Sequence, residues 1–113
     1  MLDCLFCKII KGDIPSEKVF ENKEIFAFND IHPRAPIHIL VIPKKHIGSV
    51  ATLSEEDTKS LPHLFLAAQE IATQFKFKDN GFRTVFNVGA DAGMMVDHLH
   101  LHILAGKRLA GMG

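Results

Sequence analysis

The segment VDHLHLHIL, residues 96–104, sets a histidine at every second position, with leucine between them. Side chains along a strand alternate between its two faces. A strand here carries Val96, His98, His100, His102 and Leu104 on one face, and Asp97, Leu99, Leu101 and Ile103 on the other. If a helix covers the apolar row, the histidines lie on the open face. The segment IHILVIP (37–43) repeats the alternation and is rich in β-branched residues. Ile37, Ile39 and Val41 share one face, and His38, Leu40 and Ile42 the other. If the two strands pair, four histidines line one surface. A face selected only for solubility would more often use Lys, Glu or Thr, so this row points to chemistry.

The remaining elements follow from periodicity and turn residues. CLFCKIIKGD reads as one or two helical turns stopped at Gly12. VFENKEIFAFND reads as a hairpin, with a turn near Asn22 and a strand through Phe28. Pro33 and Pro36 make HPRAP a loop. LSEEDTKSLPHLFLAAQEIATQFKF carries the one long helix. Ser54 and Asp57 resemble a capping box. Leu61, Leu64, Phe65, Ala68, Ile71, Ala72 and Phe75 recur at helical spacing. Pro62 should kink this helix or begin its main segment, with Ser60 as a second cap. FRTVFNVG (82–89) is another strand, DAG (91–93) a turn, and MVDHLHLHIL the last strand. Strands joined by short loops, with one helix long enough to cover a sheet face, indicate an α+β fold with a mostly antiparallel sheet.

A chain of 113 residues is expected to form a single domain over 1–113, with a core small enough that an oligomer would help. The 13 basic and 13 acidic residues balance, which gives no broad electrostatic attraction to nucleic acid or to an anionic membrane. No apolar run is long enough to span a bilayer. The start, MLDCLFCKIIKGD, lacks the order of a signal peptide, so a cytoplasmic location is expected. Cys4 and Cys7 form a CxxC, which in a reducing compartment suggests a metal or redox site rather than a structural disulfide.

Two chemistries fit the histidines. Same-face residues two apart on a strand are about 6.5–7 Å apart, close enough for imidazoles to converge on one metal or on one substrate. A catalytic metal would use HxH plus a third ligand, and needs partners that orient the rings. Acidic partners are few, with Asp91 and Asp97 nearby and Asp97 on the opposite face. Alternatively, one imidazole attacks phosphorus while neighbours orient it and donate to phosphate oxygens. His38, His100 and His102 suit those roles. Asn87 could add an amide, and the Gly89–Gly93 turn backbone N–H groups. Spacing alone does not choose.

HLHLHIL resembles the His-φ-His-φ-His-φ-φ motif (φ apolar) of the histidine triad superfamily. CLFCKIIKGDIPSEKVFENKEIFAFNDIHPRAPIHILVIPKKHI is similar to the N-terminal half of its small nucleoside phosphoramidase-like members, and NVGADAG before the triad matches the second half. The likeness runs from about Cys4 to Gly106. It implies a five-stranded antiparallel sheet with one long and one short helix, and a homodimer. It implies hydrolysis of purine nucleoside monophosphate linkages, phosphoramidate or phosphoanhydride, on AMP- or GMP-like substrates. The nucleophile would be His100, forming a covalent nucleotidyl-histidine. His102 would face the phosphate, His38 would support the nucleophile's ring, and His98 would be structural or assist. Asp30 would take the ribose hydroxyls. Phe28, Asn29 and Ile31 would surround the base, with Leu5, Phe6 and Leu40 adding apolar wall and Asn87 reaching the phosphate. A histidine at 102, where the nucleotidyltransferase branch has glutamine, implies a hydrolase. Some members with an early CxxC hold a structural zinc, and the matching ligands are Cys4, Cys7, His46 and His98. Catalysis itself would need no cofactor.

One stretch departs from the family pattern. Where relatives read Gly-Gln-Ser/Thr, this chain has Gly93, Met94 and Met95. A thioether cannot donate to a phosphate oxygen as a hydroxyl does. A binding protein for nucleotides or partners, with weak catalysis, is therefore the alternative to an efficient phosphoramidase.

Overall fold

A computed structural model describes residues 4–112. In chain order the elements are α1 (Leu5–Lys11), β1 (Lys18–Glu21), β2 (Ile25–Asn29), β3 (Ile37–Pro43), α2 (Glu55–Thr58), α3 (Leu61–Gln74), β4 (Arg83–Val85) and β5 (Leu101–Ala105). Single 3-10 turns occupy Val50–Thr52 and Ala90–Ala92. The five strands form one antiparallel sheet in the order β1-β2-β3-β5-β4. This is the α+β architecture expected from the sequence.

The alternation predicted for the triad segment sorts the core. Leu99, Leu101 and Ile103 join Ile39 and Val41 of β3 and the buried face of α3, formed by Leu64, Ala67, Ala68, Ile71 and Ala72. The other sheet face is not open, contrary to the sequence expectation. Phe6 and Ile9 of α1 pack there on Phe26, Phe28, Leu40 and Ile42, with Val96 at the margin. His98, His100 and His38 are therefore buried, at 0%, 8% and 5% exposure. The sequence treated the short helix as too small to cover anything, but two large apolar side chains suffice for one patch.

The last strand is also shorter than predicted. It begins at Leu101, so His98 and His100 stand on the approach to the strand rather than in it. Pro43 supplies the reason. Its register partner on β2 is Ile25, but it has no N–H to offer β5. Its carbonyl instead receives the ring of His98 at 2.9 Å. The chain at Leu99 turns its N–H to Ile47 O.

The strand expected over 82–89 is regular only at Arg83–Val85. The long helical segment is broken as Pro62 demands. Ser54 and Asp57 make the predicted capping box for α2, and Pro62 opens α3. Ser60 stands at the N-cap of α3 but makes no side-chain cap bond. Phe65 and Phe75, expected in the core, are about half exposed, and Leu66 beside them is exposed too. Gly12 ends α1 with φ of 86°, a left-handed conformation that glycine adopts without strain. Among the described residues no helix is long and apolar enough to cross a membrane.

Candidate active site

The β3–β5 register builds the site. Leu40 lies opposite His102 and His38 opposite Leu104, so His38 and His102 are diagonal neighbours on one face. Their rings meet, His38 Nε2 to His102 Nδ1 at 2.9 Å. His100 lies beside His102, with ring centroids 5.0 Å apart. Phe6 presses edge-on against His100 and His98, at centroid distances of 5.1 and 5.8 Å.

Hydrogen bonding fixes the tautomer of each triad histidine, and sets His100 apart from the other two. A carbonyl oxygen can only accept, so a ring nitrogen bonded to one must carry its proton. His100 Nδ1 lies 2.7 Å from the His98 carbonyl and donates to it. Its Nε2 is left with a bare lone pair. His98 donates from Nε2 to the Pro43 carbonyl, which leaves its Nδ1 bare. That nitrogen faces Cys4 Sγ at 3.2 Å and Cys7 Sγ at 3.6 Å. His102 takes its tautomer from His38. The Arg34 N–H donates to His38 Nδ1 at 3.1 Å, so His38 carries its proton on Nε2 and passes it as a donor to His102 Nδ1. His102 then carries its own proton on Nε2. The three histidines thus present a lone pair to the sulfurs, a lone pair at His100 Nε2, and an N–H at His102 Nε2.

Burial favours the neutral form of His102, His98 and His38. It drives the His102 pKa down to about 4, helped by the neighbouring His100 and His38. Burial also lowers His98 and His38, opposed by the Pro43 carbonyl at the first and by Asp30 at the second. A neutral His102 keeps Nδ1 free to accept from His38.

The sequence-predicted site residues are brought together in part. Phe6, Phe28 and Leu40 are packed against one another in the α1-side core. Asn29 and Asp30 are half-buried at the end of β2, while Leu5 is exposed and Ile31 is 84% exposed. Asn87 Nδ2 lies 3.4 Å from His102 Nε2. The resemblance implied that His38 supports the ring of His100, and the structure shows where His38 makes its side-chain bond. It bonds His102, and the His98 backbone holds His100. The turn before the triad differs from expectation. The N–H groups of Ala92, Gly93 and Met94 bond back to Gly89 and Ala90 carbonyls, so the turn consumes those donors itself. Met95 projects at 94% exposure. Three contributors were missed: the Arg34 N–H and the carbonyls of Pro43 and His98. Backbone groups have no side-chain signature, and only the proline at 43 hinted at one of them.

Two groups of candidate ligand atoms occur among the described residues, each with all its atoms within 4.8 Å of one another. One is Cys4, Cys7, His46 and His98, and the other is Asp30, His38 and His102. In the first, His46 Nδ1 lies 3.4 Å from Cys7 Sγ, and burial together with the Cys4 thiol raises the Cys7 pKa. In the second, the 2.9 Å contact of His38 and His102 is a ring-to-ring hydrogen bond, which uses the nitrogens a metal would need. A surface hollow of about 540 Å³ lies elsewhere, along the β1–β2 hairpin, and no predicted site residue lines it.

Because His102 is depressed from 6.5 to about 4 in the fold, an unfolded chain binds its proton first as pH falls. Stability should therefore be full above about pH 6.5 and decline as pH drops from there toward 4. His102→Gln should flatten that slope in urea unfolding measured across the window. An unchanged slope would count against a neutral His102.

A family model for "Scavenger mRNA decapping enzyme C-term binding" matches residues 3–112. A HIT-like protein of Synechocystis is 45% identical over 105 residues, covering 93% of this chain and 91% of that protein. A histidine triad protein from Clostridium difficile superposes with a TM-score of 0.96 at 45% identity, covering 100% of this chain and 98% of the other. A HIT family hydrolase from Legionella pneumophila gives 0.92 at 44% identity, with 96% of each chain covered. The matched model, the identity across nearly the whole length and the shared fold make this chain a member of the histidine triad (HIT) family.

Proposed function

We propose that the chain is a nucleotide hydrolase that cleaves purine nucleoside monophosphate linkages, phosphoramidate or phosphoanhydride, through a covalent intermediate on His100. The carrying observation is the 2.7 Å bond from His100 Nδ1–H to the His98 carbonyl. It leaves Nε2 as a fixed lone pair and meets the charge that develops when that lone pair attacks phosphorus. The His100–phosphorus bond forms as the bond to the leaving group breaks, and the leaving group takes up a proton. Water then attacks phosphorus and releases His100. His102 Nε2–H supports the transferring phosphate as a donor. Asn87 Nδ2, 3.4 Å away, is a donor too, and two donors cannot satisfy each other. An anionic oxygen between them satisfies both. Asp30 suits the ribose hydroxyls. Phe28, Asn29, Ile31, Leu5, Phe6 and Leu40 suit an AMP- or GMP-like base, and Gly93, Met94 and Met95 flank the phosphate.

Cys4, Cys7, His46 and His98 would hold a structural zinc. Two thiols and two imidazoles are a closed set that zinc favours, and the bond from His98 to Pro43 leaves the Nδ1 lone pair facing the sulfurs. The ion, when bound, would tie α1 to the segment after β3 and to the triad. A homodimer is supported by exposed Phe65 and Leu66 on α3, by exposed Phe75 at its C-cap, and by β4 as an edge strand of the sheet among the described residues.

The weak-catalysis reading is favoured by one observation, the exposed thioether at Met95 where a hydroxyl would donate. A turnover assay on an adenosine phosphoramidate addresses both readings. Wild type should release the amine, and His100→Ala should lose at least a thousandfold, the order seen when a nucleophile is removed. Equal rates in the two proteins would end the assignment. Met95→Ser should raise turnover about tenfold if the missing donor limits the rate. No gain would remove that explanation. Elemental analysis should find about one zinc per chain, and Cys7→Ala should lose it together with several degrees of Tm. A metal-free protein with unchanged Tm in Cys7→Ala would refute the zinc. Light scattering at micromolar concentration should return twice the chain mass, and a monomeric mass would exclude the dimer.

A further inference from the structure

Asp30 is held at two points by the backbone. Its N–H donates to the His38 carbonyl at 2.9 Å, and its Oδ1 accepts the His32 N–H at 2.8 Å. These bonds leave Oδ2 3.4 Å from His38 Nε2. That nitrogen is the donor to His102 Nδ1. The carboxylate also stands at a boundary, since its side chain is 20% exposed and that of His38 only 4%. One side meets the buried ring while the other reaches solvent.

A carboxylate oxygen accepts and never donates, so beside Nε2 it stabilises the His38 tautomer that carries its proton there. The Arg34 N–H stabilises the same tautomer from the other side of the ring, at Nδ1. The His38 tautomer in turn decides which nitrogen of His102 carries a proton. A ribose contact alone would not require the carboxylate to face a buried imidazole.

We propose that Asp30 is a positioning residue for His102, acting through His38. Its Oδ2 keeps the His38 proton on Nε2, and so keeps the His102 Nε2–H directed at the phosphate. The inference rests on the reading of His102 as the phosphate donor. It gives Asp30 a role that persists when the substrate has no sugar.

Asp30→Asn isolates this role. The amide oxygen still accepts the His32 N–H, so the new NH2 group faces the His38 Nε2–H, donor against donor. The first arm uses a sugarless phosphoramidate, an O-methyl ester with an aryl amine leaving group. Asp30→Asn should lower kcat on it roughly tenfold with KM unchanged, the loss expected for one disturbed hydrogen bond to a charged group. An unchanged kcat overturns the proposal and leaves Asp30 as a sugar contact. The second arm reads the ring nitrogens of His38 and His102 by NMR on the free protein and needs no turnover. Wild type should show both rings protonated on Nε2, and Asp30→Asn should shift the His102 signals toward a mixture of tautomers. Unmoved signals overturn the proposal even if wild type ignores the sugarless probe. Wild type that also fails on the adenosine phosphoramidate would sink the hydrolase reading, while the NMR arm would still decide the role of Asp30. A melting curve of Asp30→Asn like that of wild type assigns the changes to the site.

Discussion

His98 bonds in three directions, and much of the site depends on that. Its Nε2–H is taken by Pro43, its Nδ1 faces two sulfurs, and its backbone carbonyl holds His100. The ring is fully buried, so losing any one bond would leave a polar atom away from water, at a cost of about 1–3 kcal/mol. The bond to Pro43 exists because proline ends the ladder with an unspent carbonyl and no N–H. A residue chosen for what it cannot donate therefore fixes the tautomer of the first triad histidine, and the backbone beside it fixes the second.

The same chain of dependence runs from the other side through His38. Its two contacts set which nitrogen of His102 is protonated, while burial keeps both rings uncharged. A protonated His102 would offer Nδ1–H to a neighbour that also donates, so neutrality and geometry are one requirement. Phe6 adds steric definition. It stands on α1 between Cys4 and Cys7 and presses on the rings of both His98 and His100. The cysteine cluster and the candidate nucleophile are thus tied to one short helix.

Much of this was legible before the fold. The alternation in HLHLHIL divided core leucines from candidate site histidines, and Leu99, Leu101 and Ile103 are buried as the period requires. Pro62 was readable as a helix start, and Ser54 with Asp57 as a cap. What remained hidden has physical reasons. The cover over the histidine face comes from Phe6 and Ile9 on a helix of 7 residues, too short to carry a periodic signal. The roles of the triad members depend on carbonyls and one backbone N–H, which every residue possesses. The pairing of His38 with His102 rather than His100 follows from the β3–β5 register, a long-range fact that local pattern does not encode. Phe65 and Phe75 satisfied the helical period yet face outward, because the buried stripe of α3 is built on Ala67, Ala68 and Ala72, which allow close approach to the sheet.

The substitution of Met94 and Met95 acts on a site already short of donors. The turn spends the N–H groups of Ala92, Gly93 and Met94 on its own carbonyls. His102 and Asn87 offer side-chain N–H donors from the sheet side of the site. A hydroxyl at position 95 would contribute about 1.5–3 kcal/mol as a charge-assisted bond. How that loss divides depends on timing. If the bond were equally strong to bound substrate and to the transition state, its absence would weaken binding and leave kcat intact. If it strengthened only as charge developed, turnover would suffer instead. The Met95 side chain is almost wholly in solvent, so a serine there would begin well hydrated and gain little from a ground-state phosphate in water. It would gain more once substrate closes over the site and water leaves. The physical expectation is therefore that the methionine costs rate more than affinity.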